Sequence, residues 1–158
     1  MSNSIIFLYS YHHRNTLKVC NAIASKIKAA VVDINTNTEN FKLGKYDLIG
    51  FGSGIDSGKH YPRMIEYAEK LPEVQNQKAF IFSTSAIYTE KKMSKDHKLL
   101  RGILQSKGFK IVGEFSCKGY NTNSFLKFIG GMNKGRPNNE DLKNAEAFAE
   151  ALAEKLPG

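Results

Sequence analysis

Five short apolar runs, alternating with segments of helical spacing, restrict the architecture of this chain more than any other feature. The runs cover residues 5–8, 29–34, 46–51, 78–83 and 109–115. The first helical segment carries Thr16, Val19, Cys20, Ile23 and Ile27 on one face. The second carries Met64, Ile65, Ala68 and Leu71 and is closed by Pro72. Leu100, Ile103 and Leu104 mark a third, ended by Gly108. A last helix starts near Pro137, Asn138 and Asn139 and turns Leu142, Ala145, Phe148, Ala149 and Leu152 inward. Ala79, Phe80, Ile81 and Phe82 form an almost continuous apolar run, which suits a strand covered on both faces. Strands that alternate with helices imply right-handed crossovers, and therefore an α/β fold with a parallel sheet and helices on both faces. The 158 residues fit a single domain over 1–158 with a sizeable core.

In such sheets ligands bind beyond the carboxyl ends of the strands, where the strand order reverses. The loops there begin at Ser10, Gly52, Thr84 and Ser116. The first reads Ser10, Tyr11, His12, His13, Arg14, Asn15, Thr16 and runs straight into a helix. Unpaired N–H groups and the helix dipole make such a junction an anion site, most often for phosphate. Ser10, Asn15 and Thr16 add neutral hydrogen-bonding groups, and His12, His13 and Arg14 can donate to an anion. The plain alternative is a helix start capped by Asn15 or Thr16. The second loop, Gly52, Ser53, Gly54, Ile55, Asp56, Ser57, Gly58, is glycine-rich, and glycine permits positive φ and close backbone approach. The third is Thr84, Ser85, Ala86, Ile87, Tyr88 and Thr89. Loops rich in Ser, Thr, Gly and Asn with few charges suit a ligand with hydroxyls, carbonyls and a flat ring. Residues 116–137 read as a long loop with room for a short helical turn over 125–129.

Other chemistries fit less well. The stretch from Ser53 to His60 places Gly58 and Lys59 as a Walker loop would. Ser53, however, stands at its first glycine and His60 at its closing hydroxyl. A dinucleotide fingerprint starting at Gly52 and Gly54 ends on Ser57 instead of glycine. The adjacent His12 and His13 point in different directions and have no carboxylate or cysteine nearby to complete a metal shell. Cys20 lies on the apolar face of the first helix and reads as a buried small side chain. The N-terminal apolar run is too short to span a membrane and no basic region precedes it, so the expected location is cytoplasmic, as a monomer by default. The net charge of +8 raises nucleic acid or an acidic protein as partners. No nucleic-acid signature accompanies it, so nucleic acid is not expected. Residues 89–110 concentrate the excess: Lys91, Lys92, Lys95, Lys98, Arg101, Lys107 and Lys110 against Glu90 and Asp96.

The order of these motifs resembles the flavodoxin family over nearly the whole chain. The phosphate loop of that family is roughly aromatic-x-Ser/Thr-x-x-Gly-x-Thr. Tyr9 matches the aromatic position and Thr16 the threonine, while Tyr11 and Arg14 stand where Ser/Thr and a small residue are usual. The double histidine is similar to a subgroup carrying Tyr-Ser-x-His-His-Gly-Asn-Thr. The stretches 46–55 and 131–138 resemble the same subgroup. The resemblance implies a doubly wound five-stranded parallel sheet of order 2-1-3-4-5, and FMN as cofactor. Ser10, Tyr11, His12, His13, Arg14, Asn15 and Thr16 would hold its phosphate. Ser53, Gly54, Ile55, Asp56, Ser57 and Gly58, with Thr84, Ser85, Ala86, Ile87 and Tyr88, would flank the isoalloxazine ring. Tyr61, Tyr88 and Tyr120 are candidate stacking rings. Arg14 would either fold over the phosphate or point to solvent and serve only through its N–H, and the second is expected. The implied function is an electron carrier between larger redox proteins, with no catalytic side chain. The alternatives are an FMN-dependent reductase of a small molecule such as a quinone, or a cofactor-free binding module. Lys91, Lys92, Lys95, Lys98 and Arg101 would rim the flavin edge and attract an acidic redox partner.

Overall fold

The 5–8 run becomes β1 (Ser4–Tyr9), and its pleat divides the protein into two cores. Ile5 and Phe7 enter one, with Met64, Ala68, Leu100 and Leu104. Ile6 and Leu8 enter the other, with Val19, Ile23, Ala145 and Ala149. A computed structural model describes residues 2–10, 14–37, 39–120 and 133–157. Helices α1 (Asn15–Ile27) and α5 (Asn139–Ala153) cover one face of the sheet, and α2 (Pro62–Glu69) and α4 (Lys98–Ser106) the other. A short helix, α3 (Glu90–Asp96), leads into α4; Thr89 caps it by accepting from Lys92 N–H at 3.0 Å.

The remaining strands are β2 (Ala30–Asp33), β3 (Leu48–Asp56), β4 (Lys59–His60), β5 (Gln77–Ser85) and β6 (Phe109–Lys118). The sheet runs β2-β1-β3-β5-β6 with every neighbouring pair parallel. This is the expected doubly wound order, to which the two-residue β4, antiparallel to β3, is an addition. The expected turn at 125–129 lies outside the described residues. Among the described residues no helix is long and apolar enough to cross a membrane.

Three of the strands run further than their apolar stretches. β3 continues through the segment expected to be loop from Gly52, β5 takes in Thr84 and Ser85, and β6 takes in Ser116 and Cys117. The parallel register simply continues, Ser53 opposite Ser83 and Ser83 opposite Ser116. Polar side chains remain in these strands because each is bonded: Ser83 to Ser116 and His97, Thr84 to Thr16, Ser85 to Lys92, and Ser53 to the Gly54 carbonyl and Tyr61 N–H. Gly50 and Gly52 serve packing. A Cβ would sit 2.3 Å from Cζ of Phe80 at position 50 and 2.1 Å from Cζ of Phe82 at position 52, so the rings occupy the missing side chains' places. A Cβ at Gly54 would meet the Tyr61 ring at 2.7 Å. Of the three glycines of this loop, which permit positive φ, only Gly58 uses it (φ 77°); with Ser57 (φ 54°) it forms the two-residue turn between β3 and β4.

The helix starts differ from one another. At α5 the cap is Asn138. Asn138 Oδ1 accepts from Asp141 N–H and Asp141 Oδ2 accepts from Asn138 N–H, both at 2.9 Å. At α1 the cap is Arg14, with neither Asn15 nor Thr16 in that role. Both lie inside the helix and are buried, because their side chains reach across to the ends of β5 and β6.

Candidate functional site

The start of α1 sits between the carboxyl ends of the central strands. Thr16 is 2% exposed, and its Oγ1 lies 2.8 Å from Oγ1 of Thr84 at the end of β5. Asn15 Nδ2 donates to the Tyr120 carbonyl at 2.7 Å, while Asn15 Oδ1 is buried and has no hydrogen-bond partner among the described residues. Ser10 Oγ accepts from Leu17 N–H at 3.3 Å. An orphaned buried acceptor is costly unless something donates to it, so Asn15 Oδ1 fits a ligand that carries hydroxyls. Tyr11, His12 and His13 lie outside the described residues.

Arg14 is exposed and makes no side-chain cap bond. Its φ of 53° lies in the left-handed region, where glycine fits without strain and other residues cost roughly 1 kcal/mol. That conformation accounts for the small residue usual at this position. Arg14→Gly is therefore expected to keep ligand affinity within tenfold and to hold or raise the melting temperature. A tenfold loss of affinity in a titration of the variant would place the guanidinium on the ligand instead.

On the other side of this junction, β3, β4 and β5 end in two short projections. Ser53 is fully buried; its Oγ donates to the Gly54 carbonyl at 2.8 Å and accepts from Tyr61 N–H at 3.3 Å. Ile55 is half-buried, and Asp56, Ser57 and Gly58 are exposed at the tip of the hairpin. Beyond β5, Ala86 is half-buried, whereas Ile87 and Tyr88 are 52% and 37% exposed. Two such apolar residues at the mouth of a polar cradle suit contact with a flat ring. Asn133 Nδ2 donates to the Ala86 carbonyl at 2.5 Å, and Gly119 N–H to the Ser85 carbonyl at 2.9 Å, which ties this projection to the end of β6. Sequence reasoning assigned no such role to Asn133 or Gly119.

Beneath the cradle lies a polar network that sequence reasoning missed. Ser83 Oγ is 2.7 Å from His97 Nε2 and donates to Ser116 Oγ at 2.9 Å. Glu114 Oε1 faces His97 Nδ1 at 3.0 Å, and Arg101 donates to both oxygens of Glu114 at 2.9 and 3.0 Å. The ring of His60 packs 4.9 Å from that of His97. Burial by itself would raise the Glu114 carboxyl, but the hydrogen bonds from His97 and Arg101 outweigh it and hold the group at about 2. Burial first, and then the neighbouring His97, push His60 down to about 3. The signal available in the sequence was spacing: His97 precedes Leu100 and Leu104 on the buried face of α4.

Ser83, His97 and Glu114 follow one another as the members of a hydrolytic triad do. Ser83 and His97 are both fully buried, however, so no substrate reaches the hydroxyl, and the network acts as a support. A separate cluster is centred on Lys92, whose Nζ bonds to Asp96 at 2.5 Å and to Ser85 Oγ at 3.3 Å. Two members of the basic stretch, Lys92 and Arg101, are thus engaged in internal ion pairs. Cys20 and Cys117 are buried, and burial pushes both thiols up to about 12, which makes them inert as nucleophiles.

Residues 6–154 match the family model described as a flavodoxin domain. Over 149 residues the chain is 44% identical to an uncharacterized protein of Methanocaldococcus jannaschii, covering 94% of this chain and 97% of that one. Oxidised flavodoxin 1 from Bacillus cereus is similar with a TM-score of 0.71 at 17% identity, covering 98% of this chain and 99% of its own. A Fusobacterium nucleatum flavodoxin, whose structure is bound to flavin mononucleotide, is similar with a TM-score of 0.67 at 12% identity, covering 99% of this chain and 100% of its own. At these identities the two solved structures bear on the fold alone.

Proposed function

The chain belongs to the flavodoxin family, and on that premise we propose that it binds FMN and carries electrons between larger redox proteins. The observation that carries this reading is the start of α1. There a buried threonine hydroxyl, a buried acceptor with no donor among the described residues and the positive end of a helix meet at the sheet's carboxyl edge. Thr16, Ser10 and the first N–H groups of α1 would hold the phosphate. Asn15 Oδ1 would accept from a ribityl hydroxyl. The β3–β4 hairpin and the 84–88 segment would flank the ring, with Tyr88 and Ile87 against it. Bound FMN supplies the capacity to take up and release one or two electrons. The protein's own contribution is to bind it, orient it and hold backbone groups beside it. A reactive side chain is not required, and the buried serine, histidine and thiols described above offer none.

The reading is tested by reductive titration of the FMN-loaded protein, followed by assay with NAD(P)H and a quinone. A carrier is expected to take up electrons in two separate one-electron steps and to turn over slowly with the nucleotide. Fast NAD(P)H-dependent quinone reduction would instead assign an FMN-dependent reductase. Failure to load FMN at micromolar concentration would leave a cofactor-free binding module.

A further inference from the structure

The basic stretch does not form one continuous face. With Lys92 and Arg101 turned into ion pairs, Lys91, Lys95 and Lys98 remain on the surface; Lys95 and Lys98 line one groove, which does not include Lys91, and the fold brings Lys59 of the β3–β4 hairpin beside them. These three lysines rim an open groove of about 550 Å³ whose lining also includes Gly58, Leu99, Gly102 and Ile103. Leu99 is 43% exposed. Gly102 lies mid-helix, where glycine is unfavourable, and packing among the described residues does not require it, since a Cβ there would meet none of their atoms outside its own helix turn within 4 Å. An exposed helix that keeps a glycine beside an exposed leucine leaves its backbone open to something from outside. Gly58 joins the groove to the hairpin that borders the candidate flavin site.

We propose that this groove docks an acidic electron-transfer protein. Carboxylates on the partner would face Lys59, Lys95 and Lys98, and an apolar contact would settle on Leu99 and Gly102. The inference rests on the electron-carrier reading and deepens it by naming the partner's chemistry and where it sits. A lysine rim steers an acidic partner and sets the association rate, while the apolar floor, being uncharged, contributes without dependence on salt.

The test is a titration of ¹⁵N-labelled, FMN-loaded protein with an acidic [4Fe–4S] ferredoxin, at about 0.1 M and about 1 M salt, between which the Debye length falls from about 10 to about 3 Å. Amide shifts are expected at Gly58, Lys59 and along α4, strong at low salt and largely lost at high salt. Lys59→Glu, Lys95→Glu and Lys98→Glu together are expected to weaken binding about tenfold or more at low salt. Gly102→Gln, which suits the helix, is expected to weaken binding several-fold with the salt dependence unchanged. Shifts confined to another face, no binding, or indifference to these variants would overturn the proposal. Equal shifts with a random DNA duplex would overturn it too, by moving the charge to a nucleic-acid role. Flavin absorbance of the same sample reads cofactor occupancy separately. Flavin present without groove shifts defeats the docking site alone, whereas flavin absent with groove shifts intact defeats the carrier reading and supports the groove.

Discussion

Thr16→Val is expected to weaken FMN binding by roughly 1.5–3 kcal/mol, about 10- to 150-fold, and riboflavin binding far less. Valine keeps the branched shape of threonine and puts a methyl in place of the hydroxyl, so the packing of α1 on the sheet is largely preserved. The lost hydroxyl has two roles. It would donate to the phosphate, and it is paired with Thr84 at 2.8 Å. Losing that pair affects both ligands alike, because it concerns the protein on its own. Losing the phosphate contact affects FMN alone, because riboflavin has no phosphate. Thr84→Val separates the two roles: it breaks the pair but leaves Thr16 in place, so its effect on FMN should be the smaller. Equal weakening of FMN and riboflavin by Thr16→Val would show that the start of α1 holds something other than the phosphate.

Glu114→Gln is expected to lower the melting temperature by about 3–12 °C near neutral pH. Three charge-assisted contacts converge on this carboxylate, and losing the charge removes roughly 1.5–3 kcal/mol. The dependence on pH identifies the cause. In the folded protein the Glu114 carboxyl is held at about 2, below its ordinary 4.5. A depressed carboxyl stabilises the fold fully above about pH 4.5, and that stability is lost as pH falls toward 2. The gap between wild type and variant should therefore be constant from about pH 5 upward and close between about pH 4.5 and 2. Asp141 is also held low: burial opposes this, but the hydrogen bonds from Arg136 and Asn138 prevail. Its acid loss is common to both proteins and cancels in the comparison. A gap that persists at pH 2 would show that the substitution acts through packing.

The order of elements was legible in the sequence because each principal strand has an apolar run and most of the helices have a spaced apolar face. The strand ends were not legible, since periodicity sees only apolar side chains. Ser53, Thr84, Ser85 and Ser116 continue the strands as polar side chains, Thr84 and Ser116 paired with Thr16 and Ser83 far away in sequence, Ser53 and Ser85 with nearer partners. For the same reason Gly52 and Gly54 looked like loop residues, although their missing side chains make room for Phe82 and Tyr61. At the start of α1, the pairing of Thr16 with Thr84 spans 68 positions, and no local pattern announces it. Asn15 and Thr16 resembled caps because their residue types cap helices, but tertiary contacts had already claimed both side chains. For Arg14, local chemistry offered both a solvent-facing and a phosphate-facing side chain, and the titration of Arg14→Gly decides between them. The basic stretch shows the limit of counting charges: which lysines and arginines are free depends on Asp96 and Glu114, and Glu114 lies on another element.

A titration of FMN fluorescence with the purified apoprotein, with riboflavin alongside, bears most directly on whether the cradle at α1 is a flavin phosphate site. Saturable quenching with micromolar or tighter affinity is expected for FMN, with riboflavin at least tenfold weaker, a difference of about 1.4 kcal/mol or more from the phosphate alone. No quenching by FMN, or identical affinity for the two flavins, would contradict it.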